Sequence, residues 1–545
     1  MNYCHRRILP SECHSTRVNI CRINFEVGMA ERVSVSIAAT GSGISQSAFA
    51  ESGMAESVDG LIKQIQGIYL SDGIPWVVGY SGGKDSTAAL QLIWMALKTL
   101  SPEVRSKPVY VITNDTLVEN PVVSAWVNSS LQSIAEAARL QELPIETHRL
   151  TPEVGNTFWV NLIGRGYPAP SRRFRWCTAR MKIDPSTRFI REVVRSDGEA
   201  IVVLGARSAE SAGRAARIAK YDAASVREHL SPHNDLASAL IYKPIVDWTN
   251  DDVWTFLMQY RNPWGFDNKS LMTLYRSATQ DAECPVVIDT STVSCGSSRF
   301  GCWTCTVVDK DKSMAAMIQN DSEKDWMQPL LDIRDELSDA EEGKKLRDFR
   351  RMKGSVFLYN GDYVPGPYTQ AGREHWLRRV LEAQTWVRKN GPLEVRNVEL
   401  ISLGELNEIR KIWVLEKHEY EDLLPRIYEE CTGEPFLGDE FDEHFPFGAE
   451  EMEILNSEST SQLQYELLRE LIGLESRYRS HVRRNGVWDD FSKAFERSGY
   501  QNSDEAIFRA KALSIGRESV FSPAHGTFDE IVGILESNQV IEATD

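Results

Sequence analysis

The sequence contains no apolar run approaching the length of a bilayer crossing, so nothing in it reads as a helical membrane span. Its N-terminus lacks the compact apolar core of a secretory signal. It is short of positive charge: 61 lysines and arginines against 78 acidic residues leave a net charge of −17. Such a surface does not attract DNA as a whole, so a nucleic-acid contact needs a local basic patch or a partner. A disulfide framework is also missing. Nine cysteines, an odd count, in 545 residues without a signal fit a reduced cytoplasmic protein with a metal or cluster site. Nor is there a Walker A loop. That pattern needs glycine six positions before its lysine, where Val78 stands, and Ser or Thr directly after it, where Asp85 stands.

What is present is an ordinary globular balance, 42% hydrophobic and 26% charged, in a chain long enough for two or three domains. Residues 1–57 read as a disordered leader rich in Ser, Ala and Gly, which sets Cys4, Cys13 and Cys21 aside. Residues 58–263 alternate strand and helix, the pattern of a parallel α/β sheet. Its candidate strands are Trp76–Tyr80, Val109–Thr113, Glu146–Leu150, Ala200–Gly205 and Lys243–Val246. A cysteine-rich insert follows at 264–310, then a helical region at 311–435, an acidic linker at 436–460 and a helical C-terminal region at 461–545. Two apolar stripes at helical spacing predict buried faces: Trp376, Leu377, Val380, Leu381 and Val387, and Leu463, Leu467, Leu471, Leu474, Tyr478 and Val482.

The most informative string is Ser81-Gly82-Gly83-Lys84-Asp85-Ser86-Thr87, between the apolar run Trp76–Tyr80 and an apolar-periodic segment. It reads as strand, glycine turn and helix N-terminus. Orphan amides and the helix dipole then face the turn, where a phosphate fits. Lys84 adds a cation, and Ser86 and Thr87 add hydroxyls. Asp115 and Thr116 end the second candidate strand and reach the same sheet edge, with Glu119 just beyond. Arg172, Arg173, Arg175, Arg180 and Lys182 surround Trp176-Cys177, a basic loop suited to phosphate, in which a cysteine among cations is expected to be a thiolate. Gly205-Ala206-Arg207-Ser208-Ala209-Glu210-Ser211 leaves another strand, with Arg207 expected in the cleft. Cys284, Cys295, Cys302 and Cys305 form a C-x10-C-x6-C-x2-C array. Spacing alone leaves an iron–sulfur cluster and a structural zinc both open.

The S-G-G-K-D-S-T string resembles the PP-loop of ATP pyrophosphatases, and R-W-C-T resembles an element of PAPS-reductase-like proteins. With R-F-G-C-W-T-C-T-V-V at Arg299–Val308 and P-G-P-Y-T at Pro365–Thr369, the chain resembles the DndC-type sulfurtransferases of bacterial DNA phosphorothioation over roughly residues 58–400. The resemblance implies a PP-loop (adenine nucleotide alpha hydrolase-like) core and an ATP pyrophosphatase that adenylates a backbone phosphate and replaces a non-bridging oxygen with sulfur. It implies ATP, Mg²⁺ and a [4Fe–4S] cluster on Cys284, Cys295, Cys302 and Cys305. It assigns nucleotide handling to Ser81–Thr87, Asp115, Arg207 and Glu210, and phosphate handling to Arg172, Arg173, Arg175 and Arg180. Lys84, Asp85, Cys177 and Arg207 are the expected catalytic set. The implied partners are DNA, a cysteine desulfurase as sulfur donor and the system's sister proteins. Two other readings stay open: a PAPS- or APS-reductase-type enzyme, and a nucleotide-gated module without catalysis.

Overall fold

A computed structural model describes residues 47–222, 227–233, 235–278, 300–360, 362–439, 447–479 and 484–514. The leader before residue 47, Cys284, Cys295 and the residues after 514 lie outside that set.

The leading helix α1 (Met54–Leu70) feeds β1 (Trp76–Gly79), a wholly apolar stretch fit for a strand covered on both faces. The order continues α2 (Lys84–Lys98), β2 (Val109–Asn114), α3 (Pro121–Leu140) and β3 (Ile145–Leu150). After α4 (Trp176–Thr178) and α5 (Asp184–Asp197) the chain returns to β4 (Ala200–Val203). Then come α6 (Ala212–Asp222), β5 (Leu230–Pro232) and β6 (Ala239–Tyr242). The sheet order is β3-β2-β1-β4-β6-β5, parallel except for the β5–β6 pair. The chain winds outward from β1 to β3, then restarts on the other side at β4. The carboxyl ends of β1 and β4 therefore form a topological switch point, where such a sheet opens a crevice.

Four of the five expected strands are present. The fifth is displaced: Lys243–Val246 is a turn, and the strand is Ala239–Tyr242 just before it. Pro244 lacks the N–H a ladder needs, so pairing stops ahead of it. Residues ahead of the expected boundary at residue 57 already make tertiary contacts. Ala48 donates its N–H to Asp252 (3.0 Å), the residue that caps α7 (Asn250–Gln259) through Thr249. Trp248 takes the Phe49 ring at its edge, 5.2 Å between centroids.

Beyond α8 (Asn268–Ser277) the chain is mostly helical: α9 (Lys312–Asn320), α10 (Gln328–Ser338), α11 (Ala340–Lys345), α12 (Gln370–Asn390), α13 (Leu403–Lys411) and α14 (Leu423–Thr432). The main apolar cluster draws on residues from Val58 to Ile427, and a smaller one, with Val77, Ile112, Ile190 and Val202, lies apart from it. The α12 stripe is buried as expected. Trp159 Nε1 donates to the Leu400 carbonyl (2.7 Å) and Trp413 Nε1 to the Ile163 carbonyl (2.9 Å), pinning the helices to the sheet domain.

The last described helices are α15 (Ala449–Glu458), α16 (Gln462–Arg479), α17 (Val487–Ser498) and α18 (Ser503–Ser514). The stripe expected on α16 is corrected: Tyr465, Arg469, Gly473 and Leu474 are buried, while Leu463, Leu467 and Leu471 are only half-buried. The inward face carries charge because Arg469 reaches Glu419, which also holds Arg373. No helix among the described residues is long and apolar enough to cross a membrane.

Candidate active site

The glycine turn lies at the switch point, as the sequence predicts. Gly82 has φ +70°, and a Cβ there would meet the Val127 methyl at 2.6 Å. A left-handed backbone and a crowded site together call for glycine. The turn leads into α2, whose N-cap Gly83 offers no side-chain acceptor to the first amides. Ser86 closes the turn instead: its Oγ donates to the Gly83 carbonyl (3.0 Å) and accepts from Ser81 N–H (3.2 Å).

Asp85 organises the cations. It accepts from Arg207 Nε (2.6 Å) and from Lys84 Nζ (3.1 Å). Arg207 is buried and also donates to the Trp248 carbonyl (3.3 Å). The sequence predicted Arg207 in the cleft; it is a positioning residue that holds Asp85 from beneath. Gly205 permits that approach, since a Cβ there would lie 2.6 Å from the Asp85 carbonyl oxygen. Glu210 accepts from Arg207 N–H (3.1 Å) and is paired with Arg214.

A cavity of about 540 Å³ opens over these groups. Ser81, Gly83, Asp85 and Ser86 line one side, Gly205, Ala206 and Glu210 another. Thr87, expected to face the ligand, is buried in the first turn and absent from the lining. Asp115 is absent too. It accepts from Leu117 N–H (2.8 Å), holding that residue at φ +63°, and pairs with Arg149. In this structure it caps a turn. Sequence reasoning missed Tyr275, Ser231 and Lys243, which also line the cavity. Tyr275 is separated from the turn by 191 positions, and only the Leu271–Tyr275 spacing on α8 hinted at a buried face.

The basic loop divides. Arg172, Arg173 and Arg175 are exposed, and Arg172 makes a surface pair with Asp309 (3.2 Å). Arg180 is half-buried, and its guanidinium donates to three neutral groups, Asn161 (2.6 Å), Asn156 and the Tyr167 hydroxyl. The thiolate expected at Cys177 is also corrected. Burial pushes the Cys177 thiol up, and the three exposed arginines are not among the groups that act on it. The cation facing the thiols is Lys182, whose ammonium is held above its usual range, foremost by Cys302 and also by Glu119, Cys305 and Cys177.

Cys302 and Cys305 form a tight turn in which Cys305 N–H donates to the Cys302 carbonyl (3.1 Å). The turn docks on the carboxyl end of β2. Cys302 pairs with Glu119 as a bridge, Trp303 N–H donates to Val118 (2.9 Å), and Thr116 Oγ1 lies 3.3 Å from Cys302 Sγ. Burial drives the Cys302 thiol up to about 11, with Lys182 pulling the other way. Burial likewise pushes the Glu119 carboxyl up to about 7. The described residues contain no group of three metal-competent side chains, and two of the four expected cluster ligands lie outside them.

Residues 75–308, less than half of the chain, match the family model of the phosphoadenosine phosphosulfate reductase domain. An uncharacterized protein of Methanocaldococcus jannaschii is 27% identical over 199 residues, 35% of this chain and 34% of that protein. The chain thus spans about a third of the length of this curated relative. The crystal structure of phosphoadenylyl-sulfate (PAPS) reductase from Candida auris, a phosphate complex, aligns over 37% of this chain and 85% of that one, at 14% identity and a TM-score of 0.24. The family-model match covers the glycine turn, the Arg207 segment and the Cys302–Cys305 turn.

Proposed function

We infer that this chain is an ATP-dependent sulfurtransferase that places sulfur on a DNA backbone phosphate. What supports the reading is one juxtaposition. A polyphosphate-type glycine turn leaves β1, and a half-buried C-x2-C turn docks at the end of the adjacent β2. Nucleotide chemistry and thiol chemistry thus share one sheet edge.

A non-bridging phosphate oxygen is a poor leaving group. Its attack on the ATP α-phosphorus forms a P–O–P bond and expels pyrophosphate; the oxygen is already anionic, so no general base is required. The turn amides and Lys84 stabilise the charge that develops on the departing phosphates. Asp85 and Arg207 keep Lys84 in place. Hydrosulfide then attacks the activated phosphorus, and AMP leaves with the oxygen. If a protein persulfide from a cysteine desulfurase delivers the sulfur, a second thiol must cleave its S–S bond, leaving a disulfide for an external thiol to reduce. Among the described residues, Cys177 is the thiol near Lys182 that lies outside the expected cluster set.

The C-x2-C turn and its facing lysine suit a thiolate-held group, so Cys302 and Cys305 would supply half of a four-cysteine set with Cys284 and Cys295. A [4Fe–4S] cluster bound there would supply electrons or structural support. The carboxylates beside the glycine turn are already paired, Asp85 with Lys84 and Arg207 and Glu210 with Arg214, so magnesium would arrive on the ATP phosphates. DNA is presented by a partner, with Arg172, Arg173 and Arg175 guiding the phosphate. A second basic run comprises Lys344, Lys345, Arg347, Arg350, Arg351 and Lys353. In it Arg347 is committed to the Gly366 carbonyl (2.7 Å) and Arg350 to Asp348 and Glu466, while Lys345, Arg351 and Lys353 are exposed.

The domain match favours one second reading, a sulfonucleotide reductase. The test is to supply the purified chain with ATP, sulfide and DNA plus its partners, and separately with PAPS and a thiol. Pyrophosphate release with DNA-bound sulfur supports the first reading. Release of sulfite from PAPS supports the second.

A further inference from the structure

Tyr275 sits where a phosphate oxygen should. Its hydroxyl accepts the backbone N–H of Lys84 (3.3 Å), an orphan donor of the first turn of α2. It also stands 3.1 Å from the position of a Cβ on Gly83, and the Lys84 ammonium lies 5.5 Å from the centre of its ring. The phenol thus fills the one place from which an anion could reach that amide. A neutral hydroxyl is the weaker acceptor there, since a charged one makes a bond roughly twice as strong.

The other end of the ring touches the cysteine segment. Tyr275 packs edge-on against Phe300 (4.7 Å between centroids) and against Trp254 (5.2 Å). Phe300 leads through Gly301 into Cys302, which is bridged to Glu119, and on to Trp303, whose N–H donates to the Val118 carbonyl. One side chain therefore joins the glycine turn to the C-x2-C turn.

We propose that Tyr275 is a displaceable placeholder that couples occupancy of the glycine turn to the cysteine segment. This rests on the reading of the turn as a polyphosphate site. A phosphate takes the Lys84 amide, the phenol retreats, and its ring gives up its packing on Phe300, so residues 300–306 loosen when nucleotide binds. The thiol segment then opens only after ATP is seated.

The test uses the full chain as purified and α,β-methylene-ATP, which binds but is not cleaved at the α–β bond. Affinity is measured by calorimetry, and amide exchange over 300–306 by mass spectrometry. Wild type is expected to bind and to exchange faster over 300–306 when the analogue is present. Tyr275→Phe keeps the ring but removes the competing hydroxyl. It is expected to bind about three- to tenfold tighter, the scale of one neutral hydrogen bond, and to show no ligand-dependent change in exchange. Phe300→Leu is expected to bind modestly tighter, because less ring packing is given up, and to lose the exchange response. Weaker binding by Tyr275→Phe would make the phenol a plain phosphate ligand and overturn the proposal. So would an unchanged or slower exchange over 300–306 in analogue-bound wild type. No binding by wild type would instead overturn the phosphate-site reading itself.

Discussion

Gly205→Ala tests how tightly the segment leaving β4 must approach the nucleotide turn. A Cβ at 205 would lie 2.6 Å from the Asp85 carbonyl oxygen, 2.7 Å from its carbonyl carbon and 2.9 Å from Ser86 N. All three are backbone atoms in the first turn of α2, so no side chain can swing aside. Restoring ordinary contact requires the segments to part by roughly 0.8 Å, and forcing a methyl into such packing costs about 1–3 kcal/mol. The displaced atoms are the ones that hold Lys84 and Asp85. A misplacement of about 1 Å costs on the order of 100-fold in rate. The expected outcome is a melting temperature lower by about 2–8 °C and pyrophosphate release slowed by about 10- to 100-fold. Gly60→Ala, on α1 with open space around it, is the control and is expected to match wild type. Calorimetry and a coupled pyrophosphate assay read both quantities. Wild-type turnover and melting in Gly205→Ala would refute the claim that this contact sets the site.

Glu419→Gln should destabilise the protein by about 3–5 kcal/mol, because Arg373 and Arg469 would lose the buried charge they share; urea denaturation checks it. Burial alone would raise the Glu419 carboxyl, but the two arginines outweigh it and hold it below its usual range, so this stability is lost as the pH falls. His418 adds to the same trend. Burial, helped by Arg477 and Arg469, lowers it to about 4. The unfolded chain takes up that proton from about pH 6.5 downward, so stability present above that value falls by up to about 3 kcal/mol towards pH 4. His418→Gln should flatten the dependence of urea midpoints between pH 7.5 and 5. Changing Arg172, Arg173 and Arg175 together to Ala should leave melting nearly unchanged, since all three are exposed, yet abolish DNA-bound sulfur in the complete system. Retained modification would remove that loop from the active site.

The glycine turn was legible because its chemistry is local: strand, turn and helix start lie within a dozen residues. The α12 stripe was legible because each apolar residue fell on one helical face. The α16 face was not, since its buried positions include Arg469 and Gly473, which a hydrophobic pattern passes over. Gly473 packs so closely on His418 that a Cβ would lie 2.2 Å from its Nδ1. The roles of Arg207, Arg180 and Cys177 depend on distant partners: Asp85 stands 122 positions from Arg207, and Cys305 is brought to Cys177 only by folding. A sequence shows that a cation is present. It does not show which carboxylate already holds it.

The most direct test of the account is the phosphorothioate content of DNA, measured by mass spectrometry of nuclease digests from cells carrying the complete modification system. Wild-type protein should yield phosphorothioate-linked dinucleotides, and Lys84→Ala, which removes a charge from the turn while leaving the core intact, should yield none. Undiminished phosphorothioate in the Lys84→Ala cells would contradict ATP activation at this site.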